Sequence, residues 1–202
     1  MRLIAFIAAL MAMAGPRETV SDFLALAASS RVSFEYTYST GSGKAVMTGS
    51  GSVIVQGSAF LMKGDGLEVV CDGRSRWTVD RAAGEAIVEN VSEGEDFAAN
   101  PALFLSQGGK GFTVKETRAV KKDGKDLVVA VLEPEARSNV RQVIMYITPE
   151  LSLAEAEVTV ADGTVTRFTV GGFSAGPASD DISVFVLDKG SLGPDTVITD
   201  LR

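Results

Sequence analysis

The segment best suited to covalent catalysis is Gly172-Phe173-Ser174-Ala175-Gly176, which matches the G-x-S-x-G nucleophile elbow of serine hydrolases. A serine nucleophile needs a base, usually histidine, to accept its proton, and the chain contains no histidine. The elbow must also join a strand to a helix, whereas here a predicted strand precedes the segment and Pro177 follows it. We therefore interpret the match as fortuitous and predict no catalytic residue from it.

Two further patterns could bind charged ligands. Gly41-Ser42-Gly43-Lys44 resembles part of a phosphate-binding loop, but Tyr38 occupies the first glycine position, so we interpret the segment as a hairpin turn. Acidic residues cluster without the EF-hand spacing for calcium, and we interpret them as solvated loops, at Glu93-Gly94-Glu95-Asp96 and at Asp180-Asp181. Carboxylate pairs that meet across strands leave no sequence pattern, so an enzyme using carboxylates stays open as an alternative.

The composition excludes several classes of site and partner. With no histidine and only Cys71, the chain cannot build a structural zinc site, a Cys-His protease or an intrachain disulfide. Its 19 basic and 26 acidic residues give a net charge of −7. Such a chain lacks the basic surface that nucleic acids and anionic membranes require. We expect no nucleic-acid partner, no metal and no cofactor, and a fold held together by its hydrophobic core.

The first fourteen residues have the layout of a secretory signal peptide. Arg2 supplies a positive charge, Leu3 to Met11 form a short apolar run, and Ala12-Met13-Ala14 offers small residues for cleavage. The apolar run is too short to cross a hydrocarbon layer of about 30 Å. We predict a signal peptide over residues 1–14, and a single domain over residues 15–202 that functions outside the cytoplasm.

Hydrophobic periodicity predicts a mainly β domain with two helices. A stripe with helical spacing, Val20, Phe23, Leu24 and Ala27, predicts a helix over Pro16–Ser30, and a second is predicted at Asn100–Gln107. Strict alternation begins after Arg31 and predicts a strand through Phe34, Tyr36 and Tyr38. Further strands are predicted at Val46–Gln56, Ala59–Lys63, Leu67–Asp72, Arg76–Asp80, Ala86–Val91, Phe112–Thr117, Leu127–Glu133, Gln142–Thr148, Ala154–Ala161, Val165–Val170 and Ile182–Leu187. Their short connections leave no room for crossover helices, so the sheet is predicted to be antiparallel.

The strands supply one wide apolar face. Because Trp77 and Val79 alternate with polar neighbours, both are predicted to share it. Two short helices can cover only part of such a face, so the sheet must either close on itself or hold something else. The face is therefore an ordinary core or a ligand groove formed by Phe34, Tyr36, Val53, Val55, Phe60, Met62, Leu67, Val69, Trp77 and Val79.

Several segments occur in a characteristic order along almost the whole mature chain. They are Phe34-Glu35-Tyr36, the stretch from Gly49 to Gly57, Asp72-Gly73-Arg74-Ser75-Arg76-Trp77, Asn100-Pro101, and the C-terminal pair Asp181 to Phe185 and Asp195 to Arg202. In this order they resemble the LolA family of periplasmic outer-membrane lipoprotein carriers, and the likeness is greatest to its Bacteroidetes-type branch.

This resemblance implies a fold and a function. The fold would be a single antiparallel sheet curled into an open, incomplete β-barrel, its concave face covered by helices that act as a lid. The function would be a monomeric, non-enzymatic periplasmic carrier that shields the acyl chains of lipoproteins or lipids. An inner-membrane release complex and an outer-membrane acceptor would be its partners. An alternative is a module that senses lipids or lipoproteins. The lid residues would be Val20, Phe23, Leu24, Leu103 and Phe104.

The chain departs from the family pattern at one place. Better-known members carry Lys-Arg-Pro after the strand that matches Val53–Val55, and the arginine helps to fasten the lid. Here the positions are Gln56-Gly57-Ser58. The cargo could accordingly be a lipid other than a lipoprotein.

Overall fold

The structure is a computed structural model that describes residues 15–42, 45–91, 104–105 and 107–202. The predicted signal peptide, Leu103 and most of the helix predicted at Asn100–Gln107 lie outside the described residues. Within the described part of that helix, Phe104 and Leu105 are helical.

Twelve strands form one sheet in the described part of the chain. Most of their bounds agree with the predicted ones to within a few residues. The strands are β1 (Ser30–Ser42), β2 (Ala45–Gln56), β3 (Ala59–Gly64), β4 (Leu67–Cys71), β5 (Ser75–Asp80), β6 (Glu85–Asn90), β7 (Phe112–Lys122), β8 (Lys125–Pro134), β9 (Val140–Ile147), β10 (Leu153–Val160), β11 (Val165–Pro177) and β12 (Val197–Asp200).

The sheet is open. Its strand order is β12-β6-β5-β4-β3-β2-β1-β11-β10-β9-β8-β7, so β12 and β7 are the edges and do not pair with each other. Every neighbouring pair is antiparallel except β12 with β6. Two hairpins turn at Asp65-Gly66 and Asp123-Gly124, where φ is positive at both residues, between 50° and 83°. The predicted fold class, a mainly β chain with one open, antiparallel-dominated sheet, is confirmed.

The single α-helix of the described elements, α1 (Pro16–Ser29), lies across one face of this sheet. Pro16 starts the first turn, where a missing N–H removes no hydrogen bond, and the Gly15 carbonyl accepts the Thr19 N–H at 3.0 Å. The helix contacts β1, β7, β8, β9 and β11. We call this face of the sheet the inner face and the opposite one the outer face. The apolar stripe of α1 is buried against the inner face through Val20, Phe23 and Ala27.

The segment that follows β11 packs on the outer face and is fastened by Gln56. The Gln56 side chain donates to the Ser179 carbonyl at 2.9 Å and accepts the Ser179 N–H at 3.0 Å. Arg31 Nε donates to the same Gln56 oxygen at 2.8 Å, and the Arg31 guanidinium lies 5.3 Å from the centroid of the Phe185 ring. These contacts hold the C-terminal segment against the first three strands.

The strand predicted at Ile182–Leu187 is wrong. A 3₁₀ helix at Ser183–Phe185 occupies this place, and a second one follows at Lys189–Ser191. The single turn buries Phe185 on the sheet and leaves Ile182 and Val186 exposed. The chain instead adds its last strand at Val197–Asp200, which runs parallel to β6 and occupies that edge of the sheet.

Candidate functional site

An apolar cavity lies on the inner face between the middle strands and the segment that contains Phe104. It holds about 590 Å³ of empty space, including the part open to solvent. The lining described by the structure contains no charged side chain, and its residues are Phe34, Tyr36, Phe104, Leu105, Val143, Met145, Leu153, Ala156, Val158, Phe168 and Val170.

Two central strands supply the aromatic wall of the cavity. β1 and β11 pair with Tyr36 opposite Val170 and Tyr38 opposite Phe168, which brings residues from distant parts of the sequence onto one face. Tyr36 and Phe168 meet edge to face, with 5.9 Å between ring centroids. Burial raises the pKa of the Tyr36 hydroxyl, with a smaller contribution from the Asp65 carboxylate. Tyr36 is therefore neutral at physiological pH.

α1 covers the same face through a chain of contacting aromatic rings. Phe23 is fully buried, and its ring centroid lies 5.8 Å from that of Phe173. Phe173 in turn stacks on Phe34, a cavity residue, at 6.3 Å. The helix is thus held over the inner face by apolar packing, and its movement would expose Phe34 and Phe173.

The segment that follows Phe104 docks on α1. Gly109 N–H donates to the Phe104 carbonyl at 3.2 Å and Gly108 N–H to the Leu105 carbonyl at 3.0 Å, the hydrogen bonds of a Schellman helix end. Gly108 has a φ of +57°, and a Cβ atom there would lie 2.9 Å from the Ala28 Cβ. The helical residues Phe104 and Leu105 therefore end close to α1, and Phe104 packs edge to face on Phe112 at 5.2 Å.

The predicted groove residues fall into four groups. Phe34 and Tyr36 line the cavity, and the buried Val53, Val55 and Phe60 continue the same core. Met62, Leu67 and Val69 line a neighbouring pocket on the inner face. Trp77 and Val79 lie elsewhere. The predicted lid residues have different positions. Val20 and Phe23 are buried between α1 and the sheet, and Leu24 on the same helix is half-buried. Phe104 lines the cavity, and Leu103 lies outside the described residues.

The prediction that Trp77 and Val79 share the inner face is wrong. Trp77 pairs with Val70, whereas the inner-face residue Cys71 pairs with Arg76. Trp77 and Val79 therefore belong to a second apolar cluster on the outer face, which also contains Leu187. Alternation along β5 was read correctly, but alternation alone does not say which of the two faces is covered by α1.

Trp77 fluorescence is expected to remain unchanged when a lipid enters the inner cavity. Its ring lies against the C-terminal segment, with Lys189 Nζ 5.0 Å from the ring centroid. A Phe168→Trp variant in a Trp77→Phe background should instead respond, because Phe168 lines the cavity. Emission spectra recorded during lipid titration test both. A shift of Trp77 emission with a silent Phe168→Trp variant would place the ligand on the outer face.

The sequence pattern did not reveal the wall formed by β9 and β10. This wall of the cavity consists of Val143, Met145, Leu153, Ala156 and Val158. In the sequence these residues cannot be told apart from those of an ordinary hydrophobic core. The G-x-S-x-G segment lies inside β11, so it is not an elbow between a strand and a helix. Among the described residues, no cluster of three or more acidic or cysteine side chains could hold a metal ion. In the same part of the chain, no helix is long and apolar enough to span a membrane.

The sequence matches the family of outer membrane lipoprotein carrier proteins, LolA, over residues 27–186. The chain belongs to the LolA family. The match extends from the end of α1 through β11 to Val186, so it includes every described residue that lines the apolar cavity. LolA proteins are periplasmic and have a binding fold. A comparison of this LolA family member with curated proteins finds no match.

Several solved structures are similar to this LolA family member at low sequence identity, and one of them, with a TM-score above 0.5, shares its fold. An uncharacterized conserved protein from Thermus thermophilus has a TM-score of 0.55 and 9% identity, over 91% of this chain and 98% of that one. A LolA superfamily protein from Nitrosomonas europaea has a TM-score of 0.45 and 12% identity, over 84% and 98% of the two chains. A DUF1329 family protein from Desulfovibrio piger has a TM-score of 0.45 and 14% identity, over 89% and 100%.

Proposed function

We propose that the protein is a periplasmic carrier that shields acyl chains of lipoproteins or lipids during transfer to the outer membrane. The observation that carries this proposal is the apolar cavity on the inner face, whose described lining has no charged side chain. Membership of the LolA family supports the same function. Residues 1–14 would act as the export signal, and residues 15–202 would form the lipid-binding domain.

The energetics of acyl chains in water explain why such a carrier is needed. Each methylene kept out of water contributes about 0.8 kcal/mol, so a multiply acylated molecule does not cross an aqueous compartment unaided. A carrier must offer a comparable apolar surface and stay soluble when empty. Phe104 and Leu105 form what we call the Phe104 segment. Covering the apolar surface with α1 and this segment keeps the empty protein soluble. Because both are attached by side-chain packing, they can move away to admit a ligand. No bond is made or broken in this role.

The lid in this chain would be held by packing, without the basic fastener of better-known relatives. Gln56 stands in the place of that basic segment, and its hydrogen bonds go to Arg31 and Ser179 on the outer face. The inner face relies instead on the contact of Phe23 with Phe173 and of Gly108 with α1. Release of cargo to an outer-membrane acceptor, and loading by an inner-membrane complex, would accordingly require displacement of these apolar contacts.

Filling the cavity should weaken acyl binding. Ala156 lines the cavity with a small side chain, and Ala156→Leu places extra methyl groups where the acyl chain would lie. We expect at least a tenfold loss of affinity for a fluorescent fatty acid or a diacylated peptide, about 1.4 kcal/mol. Isothermal titration or fluorescence anisotropy provides the measurement.

The matched control is Ala119→Leu, which adds the same groups at an exposed position on the edge strand β7. This control should bind like wild type. Equal affinity of wild type and Ala156→Leu for acyl ligands, with both folded by circular dichroism, would contradict the proposed site.

A further inference from the structure

A second pocket on the inner face continues from the apolar cavity and is bordered by three aromatic rings. Tyr36 and Phe168 line both spaces, and Tyr38 joins them in the second. The three ring centroids lie 5.9 to 6.3 Å apart. This pocket holds about 910 Å³ of empty space, including the part open to solvent. A ligand in the cavity can therefore extend a polar end into this pocket, beside the rings.

Glycines of the neighbouring strand fix the position of the tyrosine rings. Gly51 stands opposite Tyr36 and Gly49 opposite Tyr38 in the β1–β2 pair. A Cβ atom at Gly51 would lie 2.6 Å from the Tyr36 hydroxyl, and one at Gly49 would lie 2.5 Å from the Tyr38 ring. The rings thus lie over bare backbone, in space that any larger residue would fill.

The pocket also carries a carboxylate with no cationic partner among the described residues. Asp65 accepts a hydrogen bond from the Tyr38 hydroxyl at 2.6 Å and lies 3.4 Å from the Ser50 N–H. In the part of the chain that the structure describes, no lysine or arginine forms an ion pair with Asp65. The nearby Lys63 pairs with Glu68 instead, at 3.0 Å. A negative charge therefore lies in the same pocket as three aromatic rings, whose π-systems also attract cations.

We infer that this pocket binds an ammonium group of the ligand whose acyl chains occupy the apolar cavity. The inference rests on the proposed function and adds the chemistry of the polar end. An ammonium within about 6 Å of a ring centroid is attracted by the aromatic face. The Asp65 carboxylate attracts it further and repels an anionic headgroup. The ammonium could belong to an ethanolamine phospholipid or to a lysine of an acylated peptide.

The test uses Asp65→Asn, which removes the charge and keeps the shape. Asparagine tolerates the left-handed backbone of Asp65, where φ is 52°. The probes are dihexanoyl phosphatidylethanolamine against dihexanoyl phosphatidylglycerol, and octanoyl-glycyl-lysine amide against octanoyl-glycyl-norleucine amide. Affinity for the ammonium-bearing member should fall about two- to fivefold in Asp65→Asn. The change should be smaller at high salt, because the pocket is open to solvent.

Asp123→Asn is the matched control, since Asp123 holds the same place in another Asp-Gly hairpin and has a φ of 50°. It changes the net charge equally, so a difference between the two variants is local to the pocket. Weaker binding of either ammonium probe in Asp65→Asn alone supports the inference and identifies the source of the ammonium. Equal binding of all probes by both variants and wild type overturns the inference and leaves the acyl carrier intact. Failure of wild type to bind any probe overturns both.

Discussion

Replacement of Phe104 with alanine is expected to lower stability and at the same time to increase the affinity of the empty protein for acyl ligands. Phe104 is 6% exposed, packs on Phe112 and lines the apolar cavity. Loss of a buried phenylalanine typically costs about 3–5 kcal/mol, and less where the site is partly open. Its ring also occupies space that an acyl chain would take, and it helps to hold the Phe104 segment on the inner face.

Denaturant unfolding and lipid titration of wild type and Phe104→Ala measure the two effects together. Phe60→Ala is the control, because Phe60 is fully buried on the inner face and does not line the cavity. The control should lose stability without gaining affinity. Loss of stability with unchanged or weaker binding in Phe104→Ala would count against a lid at this segment.

Replacement of Gly51 with valine is expected to cost about 3 kcal/mol in the free energy of unfolding. A Cβ atom at Gly51 would lie 2.5 Å from the Lys63 carbonyl oxygen and 2.8 Å from the Tyr36 ring. The carbonyl belongs to the paired strand β3, so relief requires a shift of the sheet. Displacement of Tyr36 would also distort the wall shared by the cavity and the neighbouring pocket, so acyl affinity should fall with stability.

Gly171→Val supplies the comparison, because Gly171 also lies within a strand and a Cβ atom there would meet nothing within 4 Å. Thermal and denaturant unfolding of both variants separate the cost of the steric clash at Gly51 from the effect on stability of a valine in any strand. The Gly171 variant should remain within about 0.5 kcal/mol of wild type. If the two variants had similar stability, β2 and β3 would be able to move apart at this position without a large cost in free energy.

Local features of the fold could be predicted from the sequence, and the reason is that they depend on neighbouring residues. The stripe of Val20, Phe23 and Ala27 marks α1, and Asp123-Gly124 marks a hairpin, because periodicity and turn chemistry act over a few residues. Most strand bounds were found for the same reason. The family resemblance is confirmed by the match over residues 27–186. The prediction of an open sheet with a covering helix came from this resemblance.

The site could be predicted only in part, because it depends on which strands meet. Phe34 was predicted as a cavity residue, but Phe168 and Met145 were not, since their place depends on the pairing of β1 with β11 and of β9 with β10. Trp77 was assigned to the wrong face because alternation is symmetrical with respect to the two faces. The strand predicted at Ile182–Leu187 failed because the sheet edge at β6 is taken by Val197–Asp200.

The pairing of β1 with β11 also determines the order in which the molecule can fold. β1 to β6 and β7 to β11 are two runs of consecutive hairpins, each formed by contacts close in sequence. The two runs join where Ser30 lies opposite Pro177 and Gly41 opposite Val165, so this seam closes a loop that contains most of the chain. Local hairpins form within microseconds, whereas long-range closure carries a larger entropic cost and slows folding. In a growing polypeptide, the backbone hydrogen-bonding groups of β1 that face β11 therefore stay unpaired until β11 has been synthesised. Protection by a chaperone would matter most during that interval.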